Sequence, residues 1–432
     1  MAAAPTRLAR RLGLGDAVVI GLGSMIGAGV FAAVGPAAQA AGAGLLIGLA
    51  IAAAVAYCNA TSSAQLAAVY PSSGGTYVYG RQRLGPFWGF LAGWGFVVGK
   101  TASCAAIALT VGAYAAPTWQ RPIAVSAVVA LTAVNYLGIR KTALLTRVIV
   151  TIVLVALALV VAGAVFGGTA SAENVGDLGT GGIGGILRSG GLLFFAFAGY
   201  ARIATLGEEV DDPARTIPKA IPRALGITLV VYLVVAVTAL AAVGPAALAG
   251  SDAPLATTVR AGDLDALVPA VRVGGAVAAL GVLLSLIAGV SRTTFAMASD
   301  RELPGWLDAV HQTRRVPHRA ELTAGALVVV LVSFTDLRGA IGFSSFCVLA
   351  YYAVANAAAW TLPPSQRRWP RALTVVGLVG CVTLAFTLPV SSVVAGTCVL
   401  AVGALVRAVR RRWFSRPAAA GARGRRHGSA AS

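Results

Sequence analysis

GLGSMIGAGVF, residues 21–31, lies inside a long run with no charged residue and carries glycines at 21, 23, 27 and 29. A helix of membrane length favours Ala and Leu, and each interior glycine costs it about 1 kcal/mol relative to Ala. The weakening falls at the middle of the run, not at its ends. What such a segment does with a weak centre decides how the whole chain is read.

The surrounding composition sets the class. The chain has 432 residues, 58% of them hydrophobic and 11% charged, with a mean hydropathy of +0.82. Soluble domains carry about 25% charged residues to cover their surface. Apolar runs long enough for a ~30 Å hydrocarbon layer recur throughout. Twelve spans are predicted, at 16–40, 44–67, 86–113, 122–138, 144–167, 185–206, 221–246, 271–297, 321–335, 339–362, 371–388 and 391–408. The fold class is an all-α polytopic membrane protein. A β-barrel would show short alternating segments instead. The first span is expected to be retained, since no small-residue cleavage site follows it.

A net charge of +19 invites a nucleic-acid reading, but its location argues otherwise. Of the 34 Lys and Arg, Arg121, Arg188, Arg260, Arg272 and Arg338 fall on one side, and Lys100 and Arg202 fall within spans. All the others occupy the alternate segments. That asymmetry is the positive-inside pattern. It predicts a multi-pass protein of the cytoplasmic membrane with both termini cytoplasmic. The basic tail, 409–432, reads as a disordered segment facing lipid, so the bilayer is an expected partner and nucleic acid is not.

Cys58, Cys104, Cys347, Cys381 and Cys398 all fall in predicted spans without a CxxC pair. Neither a disulfide framework nor a metal site is expected, and no cofactor. No soluble domain fits between the spans. The organisation is a cytoplasmic segment 1–15, five spans in 16–167, five more in 185–362, two in 371–408, and the tail. The segment 167–188 is a Gly-rich external loop, and 246–270 should hold a short surface helix.

The opening stretch has a counterpart in span 6, GGLLFFAFAGYARIATLGEEV, residues 190–210, with Gly199 at its middle. Five spans per half would invert one half relative to the other, and paired glycine-interrupted spans mark a transporter's central site. A backbone break at membrane depth is tolerated only where protein or a watery cavity surrounds it. The half-helix after a break offers free N–H groups to an anion. The half-helix before it offers carbonyls to a cation. Two facing breaks therefore suit a zwitterion such as an α-amino acid. Two plainer readings stand beside this one: Gly23 and Gly27 also form a small-xxx-small packing face, and GLGSMIG has the wrong spacing for a dinucleotide fingerprint.

Three segments carry a resemblance: GSMIGAGVF, residues 23–31; FFAFAGYARIATLGEEVDDPARTIPKAI, residues 194–221; and SRTTFAMASDRELPGWLDAVHQTRRVPHRA, residues 291–320. Together they resemble the amino acid–polyamine–organocation superfamily, nearest its cationic amino acid transporter branch, over spans 1 to 10 in order. The resemblance implies a leucine-transporter-like 5+5 inverted repeat with two additional spans. It implies a break at Ile26 and Gly27, a substrate carboxylate on the amides around Ala28 and Gly29, and an α-amine on carbonyls near Met25, Phe195, Ala196 and Ala198 beside Gly199. Phe195 and Phe197 become candidates for an aromatic lid; the alternative is a core-facing or lipid-facing role. Relatives often carry a hydroxyl residue where this chain has Ala28, so backbone must make that contact here.

Charges within spans are functional candidates because each costs at least ~2.5–3.5 kcal/mol at mid-bilayer. Proton-coupled relatives carry a lysine in span 5. Aligning NYLGIRKTALLTRVIVTIVLV, residues 135–155, puts Val153 there. Lys100 in span 3 is therefore the candidate titratable cation, against the alternative that it snorkels or stays paired. Ser285 and Ser291 in span 8 could complete a cation site or could simply satisfy backbone carbonyls. Arg202, Glu208 and Glu209 are gate candidates, with Arg7, Arg10 or Arg11 opposite the glutamates. An Arg202 facing the vestibule would disfavour cationic substrates; one that snorkels inward or pairs with Glu208 or Glu209 says nothing about substrate.

The expected function is a secondary amino acid permease working by alternating access, with proton-coupled uptake of neutral amino acids. An amino acid or polyamine exchanger without ion coupling is the alternative. An enzyme is disfavoured: His311, His318 and His427 lie outside the spans and no acidic residue is read at mid-span. No filter motif or ATP-binding loop is present either.

Overall fold

The computed structural model describes residues 12–70, 74–138, 143–204 and 209–415. The opening stretch forms two helices. Helix α1 (Leu14–Met25) ends at Ile26, and Gly27, with φ −143° and ψ −138°, separates it from α2 (Ala28–Ala41). After a 3-10 turn, α3 (Leu45–Val69) runs back. The short α4 (Thr76–Arg83) precedes α5 (Pro86–Ala115). Pro86 opens α5, where a missing N–H removes no helical bond. Helices α6 (Gln120–Tyr136) and α7 (Ala143–Phe166) follow.

Span 6 is also interrupted. After the one-turn α8 (Ala172–Val175), α9 (Gly182–Phe197) tightens into a 3-10 turn at Ala198–Tyr200 and resumes as α10 (Ala201–Ala204). Helix α11 (Pro213–Ala249) starts well before the expected 221 and bends at Gly244, whose φ of +70° suits a residue without a Cβ. The short helix expected in 246–270 is α12 (Pro254–Arg260). Then come α13 (Val268–Ser299), α14 (His318–Phe334), α15 (Leu337–Trp360), α16 (Arg371–Thr387) and α17 (Val390–Ser415).

Among the described residues the only bridge outside helices is Leu12 with Val210. Among the described residues eight helical stretches, with Ala28–Val69 taken as one, are long and apolar enough to cross a membrane, and α1 and α16 are shorter apolar helices. Large apolar side chains such as Leu144, Val230, Phe334, Val376 and Val402 are exposed on the outer faces, where lipid favours them. The interior is built largely of alanine, glycine and other small residues, which let helices approach closely. This is the construction of an integral multi-pass membrane protein.

One correction concerns the basic tail. Residues 409–415, expected to be disordered, continue α17. The reason is an anchor at the basic end of the bundle. Arg407 makes a two-pronged ion pair with Glu302, at 2.7 and 2.8 Å, and donates to the Pro86 carbonyl at 3.0 Å. Both partners are buried, with side chains 6% and 8% exposed. The Arg407 guanidinium stacks 5.1 Å from the Phe90 ring, and Arg410 donates to the Glu302 carbonyl at 3.1 Å. Nearby, Asp300 accepts from Tyr77 at 2.5 Å and from Arg81 at 2.6 Å. The SDRE stretch, residues 299–302, thus ties α13, α4, α5 and α17 together.

A candidate substrate site at two facing helix breaks

The breaks in spans 1 and 6 meet. A Cβ built on Gly29 would stand 2.6 Å from the Cα of Ala196, and one on Gly199 would overlap the Ser24 carbonyl. No side chain fits at either position without moving a backbone. On the other flank, a Cβ on Gly27 would press on Val282 of α13, and one on Gly23 would lie 2.9 Å from Val150 of α7. The break is thereby enclosed by spans 5, 6 and 8. Val153, where proton-coupled relatives carry lysine, is 1% exposed in that packed apolar region.

Backbone polarity at the break is uneven. Ile26 donates to Leu22 at 2.7 Å and Gly27 donates to Met25 at 2.8 Å, so both close back on α1. Gly27 has no side chain to cap α2. The first-turn amides of α2, beginning at Ala28, are therefore without a side-chain cap. The carbonyl side differs. The Tyr232 hydroxyl of α11 lies within hydrogen-bonding distance of both the Met25 carbonyl and, at 3.1 Å, the Ala196 carbonyl. Tyr352 of α15 donates to Ala198 at 3.4 Å. Three of the four carbonyls expected to hold an α-amine thus meet tyrosine hydroxyls in this conformation.

An aromatic cluster supports that arrangement. The rings of Phe197 and Tyr232 lie 5.1 Å apart, Phe194 and Tyr352 5.7 Å, and Tyr200 and Tyr352 5.1 Å. Phe197 is fully buried on Tyr232, while Phe195 is partly buried against the core. Met25, Ile26, Ala28, Ala196 and Ala198 are all buried as well. Two cavities, of about 230 and 520 Å³, open elsewhere, beside α12.

The remaining candidates are dispersed. Lys100 is buried and shares a face of α5 with Gly93, Val97 and Cys104 by helical spacing. That face meets α13, since Gly93 packs on Met297. Ser285 is exposed on α13 and donates to the Gly281 carbonyl at 3.2 Å. Ser291 instead lies 2.5 Å from the buried carboxyl of Glu321 on α14. Arg202 has Glu209 and Arg292 as electrostatic neighbours. At the same end, Leu12 donates to the Glu209 carbonyl at 3.1 Å and accepts from Asp211 at 3.0 Å. This backbone clasp ties the entry of α1 to the segment after α10. Glu208, Arg7, Arg10 and Arg11 lie outside the described residues.

Sequence reasoning missed Tyr232, Tyr352 and Glu321. The available signals were a lone phenol inside TLVVYLVVAV, residues 228–237, and an acid bordering the apolar run of span 9.

The family described as amino acid permease matches residues 12–405. An uncharacterized transporter of Mycobacterium tuberculosis is 64% identical over 94% of this chain and 92% of its own. The branched-chain amino acid permease BcaP of Bacillus subtilis is 26% identical over 86% and 84% of the two chains. The cationic amino acid transporter 7, chloroplastic, of Arabidopsis thaliana is 27% identical over 79% of this chain and 64% of its own.

Proposed function

The chain belongs to the amino acid permease family of the amino acid–polyamine–organocation superfamily, and from that premise we propose a secondary transporter of the cytoplasmic membrane that takes up neutral amino acids with a proton. The meeting of the two helix breaks carries this reading. The open amides of α2 suit a carboxylate. The carbonyls of Met25, Ala196 and Ala198 suit an ammonium, which would displace the hydroxyls of Tyr232 and Tyr352. Such an exchange of hydrogen bonds couples substrate to the relative position of spans 1, 6, 7 and 10.

In this reading twelve spans form a 5+5 inverted repeat plus two, with both termini cytoplasmic. Spans 1, 2, 6 and 7 rock against spans 3, 4, 8 and 9. The Leu12–Glu209 clasp is the inner gate, with Arg202 beside it. Lys100 is a coupling candidate because it is a buried cation within the static set. Arg202 and Arg292 near one another favour neutral over cationic side chains.

The likeness to a cationic amino acid transporter supports a second reading, an exchanger of cationic substrates without ion coupling. Uptake into proteoliposomes decides between them. Proton symport requires uptake into substrate-free vesicles that collapses with a protonophore. Exchange requires internal substrate and is indifferent to the protonophore. A thermal-shift screen against the twenty amino acids and common polyamines identifies the ligand, since a ligand bound by the native state raises the melting point. A screen with no amino acid hit overturns the proposal.

A further inference from the structure

Glu321 is a buried acid that the substrate site does not use. It sits in the first turn of α14 and is 3% exposed. Its Oε2 lies 2.5 Å from the Ser291 hydroxyl, which also lies 3.1 Å from the Ala288 carbonyl. One hydroxyl proton serves only one of those two oxygens. Its Oε1 has no hydrogen-bond partner among the described residues. The side-chain amide of Asn135 on α6 approaches the carboxyl as a further donor, without the geometry of a full hydrogen bond, and donates to the Leu284 carbonyl at 3.1 Å. Among the described residues no Lys, Arg or His nitrogen comes within ion-pairing distance of Glu321.

A carboxylate ion has about four lone-pair sites to satisfy, and burying it without a cation is costly. A carboxylic acid resolves the shortage. Its O–H donates to the Ser291 oxygen, the Ser291 hydroxyl turns to Ala288, and the bare Oε1 is a neutral carbonyl oxygen. The charged and titratable neighbours are Arg292 on α13, which is exposed, Cys104 on α5, and His318 and Arg319 on α14 itself. Helix α6 brings only an amide.

We propose that Glu321 is a proton-binding site of the transport cycle, protonated in the described conformation and ionised in another. The switch is the Arg292 guanidinium together with Arg202 of span 6. Arg292 lies within electrostatic reach of both Glu321 and Arg202. When span 6 moves, Arg202 moves relative to Arg292, the repulsion between the two guanidiniums changes, and Arg292 is drawn to the carboxylate. The Glu321 O–H bond breaks, its proton passes to water at the basic end, and the negative charge left behind is met by Arg292. This deepens, and rests on, the proton-coupled reading above, and it assigns the proton to a carboxyl group in addition to the Lys100 candidate.

The test uses the full-length protein, purified and reconstituted, with infrared difference spectra recorded across a pH titration. A protonated-carboxyl band should vanish as pH rises, be missing from Glu321→Gln, and need a higher pH to vanish in Arg292→Gln. In vesicles, Glu321→Gln should retain substrate-gradient-driven exchange while losing substrate-coupled proton flux. A band unchanged in Glu321→Gln, or wild-type proton flux in that variant, overturns the inference. Should Glu321→Gln fail to fold, Ser291→Ala replaces it: the band must shift in frequency when the hydroxyl is removed, and an unmoved band is equally fatal. A titrating Glu321 band in a protein that moves no amino acid would sink the permease reading and leave this site standing.

Discussion

Tyr232 bonds to the Met25 carbonyl at the last turn before the break in span 1, and the same hydroxyl reaches Ala196 in span 6. One phenol from span 7 thereby closes the two segments that the substrate would have to bridge. The ligand and the tyrosine compete for the same oxygens, and this makes the arrangement testable.

Tyr232→Phe removes the hydroxyl and with it the hydrogen bond that the Met25 and Ala196 carbonyls share. Without substrate the variant should be less stable by about 0.5–1.5 kcal/mol. Saturating substrate should narrow that gap, because its ammonium takes over the same carbonyls. Differential scanning fluorimetry with and without substrate measures both. An identical gap in the two conditions would mean that the amine binds elsewhere.

Gly199→Ala places a methyl group into the Ser24 carbonyl. Overpacking of this kind costs about 1–3 kcal/mol, and here the strain falls on the end of α1. Uptake should fall sharply in proteoliposomes while the protein still assembles. The neighbouring control is Gly226→Ala, with nothing within 4 Å of the new Cβ, which should transport normally.

Lys100→Met tests the coupling candidate in α5. If its ammonium takes part, uptake should lose its pH dependence while substrate still binds. Normal uptake with the wild-type pH profile, measured in the same vesicles, would assign Lys100 a packing role between α5 and α13 instead.

Arg407→Leu removes the two-pronged partner of the buried Glu302 carboxylate. Removing one partner of a buried pair costs about 3–5 kcal/mol. The melting temperature should drop markedly, and replacing both residues by apolar ones of similar volume should recover much of it. Arg215→Leu, whose partner Asp212 is exposed at 3.8 Å, should leave stability nearly unchanged.

What the sequence determined by itself is local in origin. The length and apolarity of each run give helices throughout. Glycines at 27 and 199 mark where two of them break, because a missing Cβ weakens a helix wherever it occurs. The extension of α17 past Arg407 was illegible, since it depends on a glutamate 105 residues away in sequence. Tertiary structure alone decided the partners. Ser291 meets Glu321, Tyr232 meets Met25, and Ser285 turns outward, because a side chain's partner depends on how helices distant in sequence are rotated against one another. Periodicity places a residue on a face of its own helix, and only packing decides what that face meets.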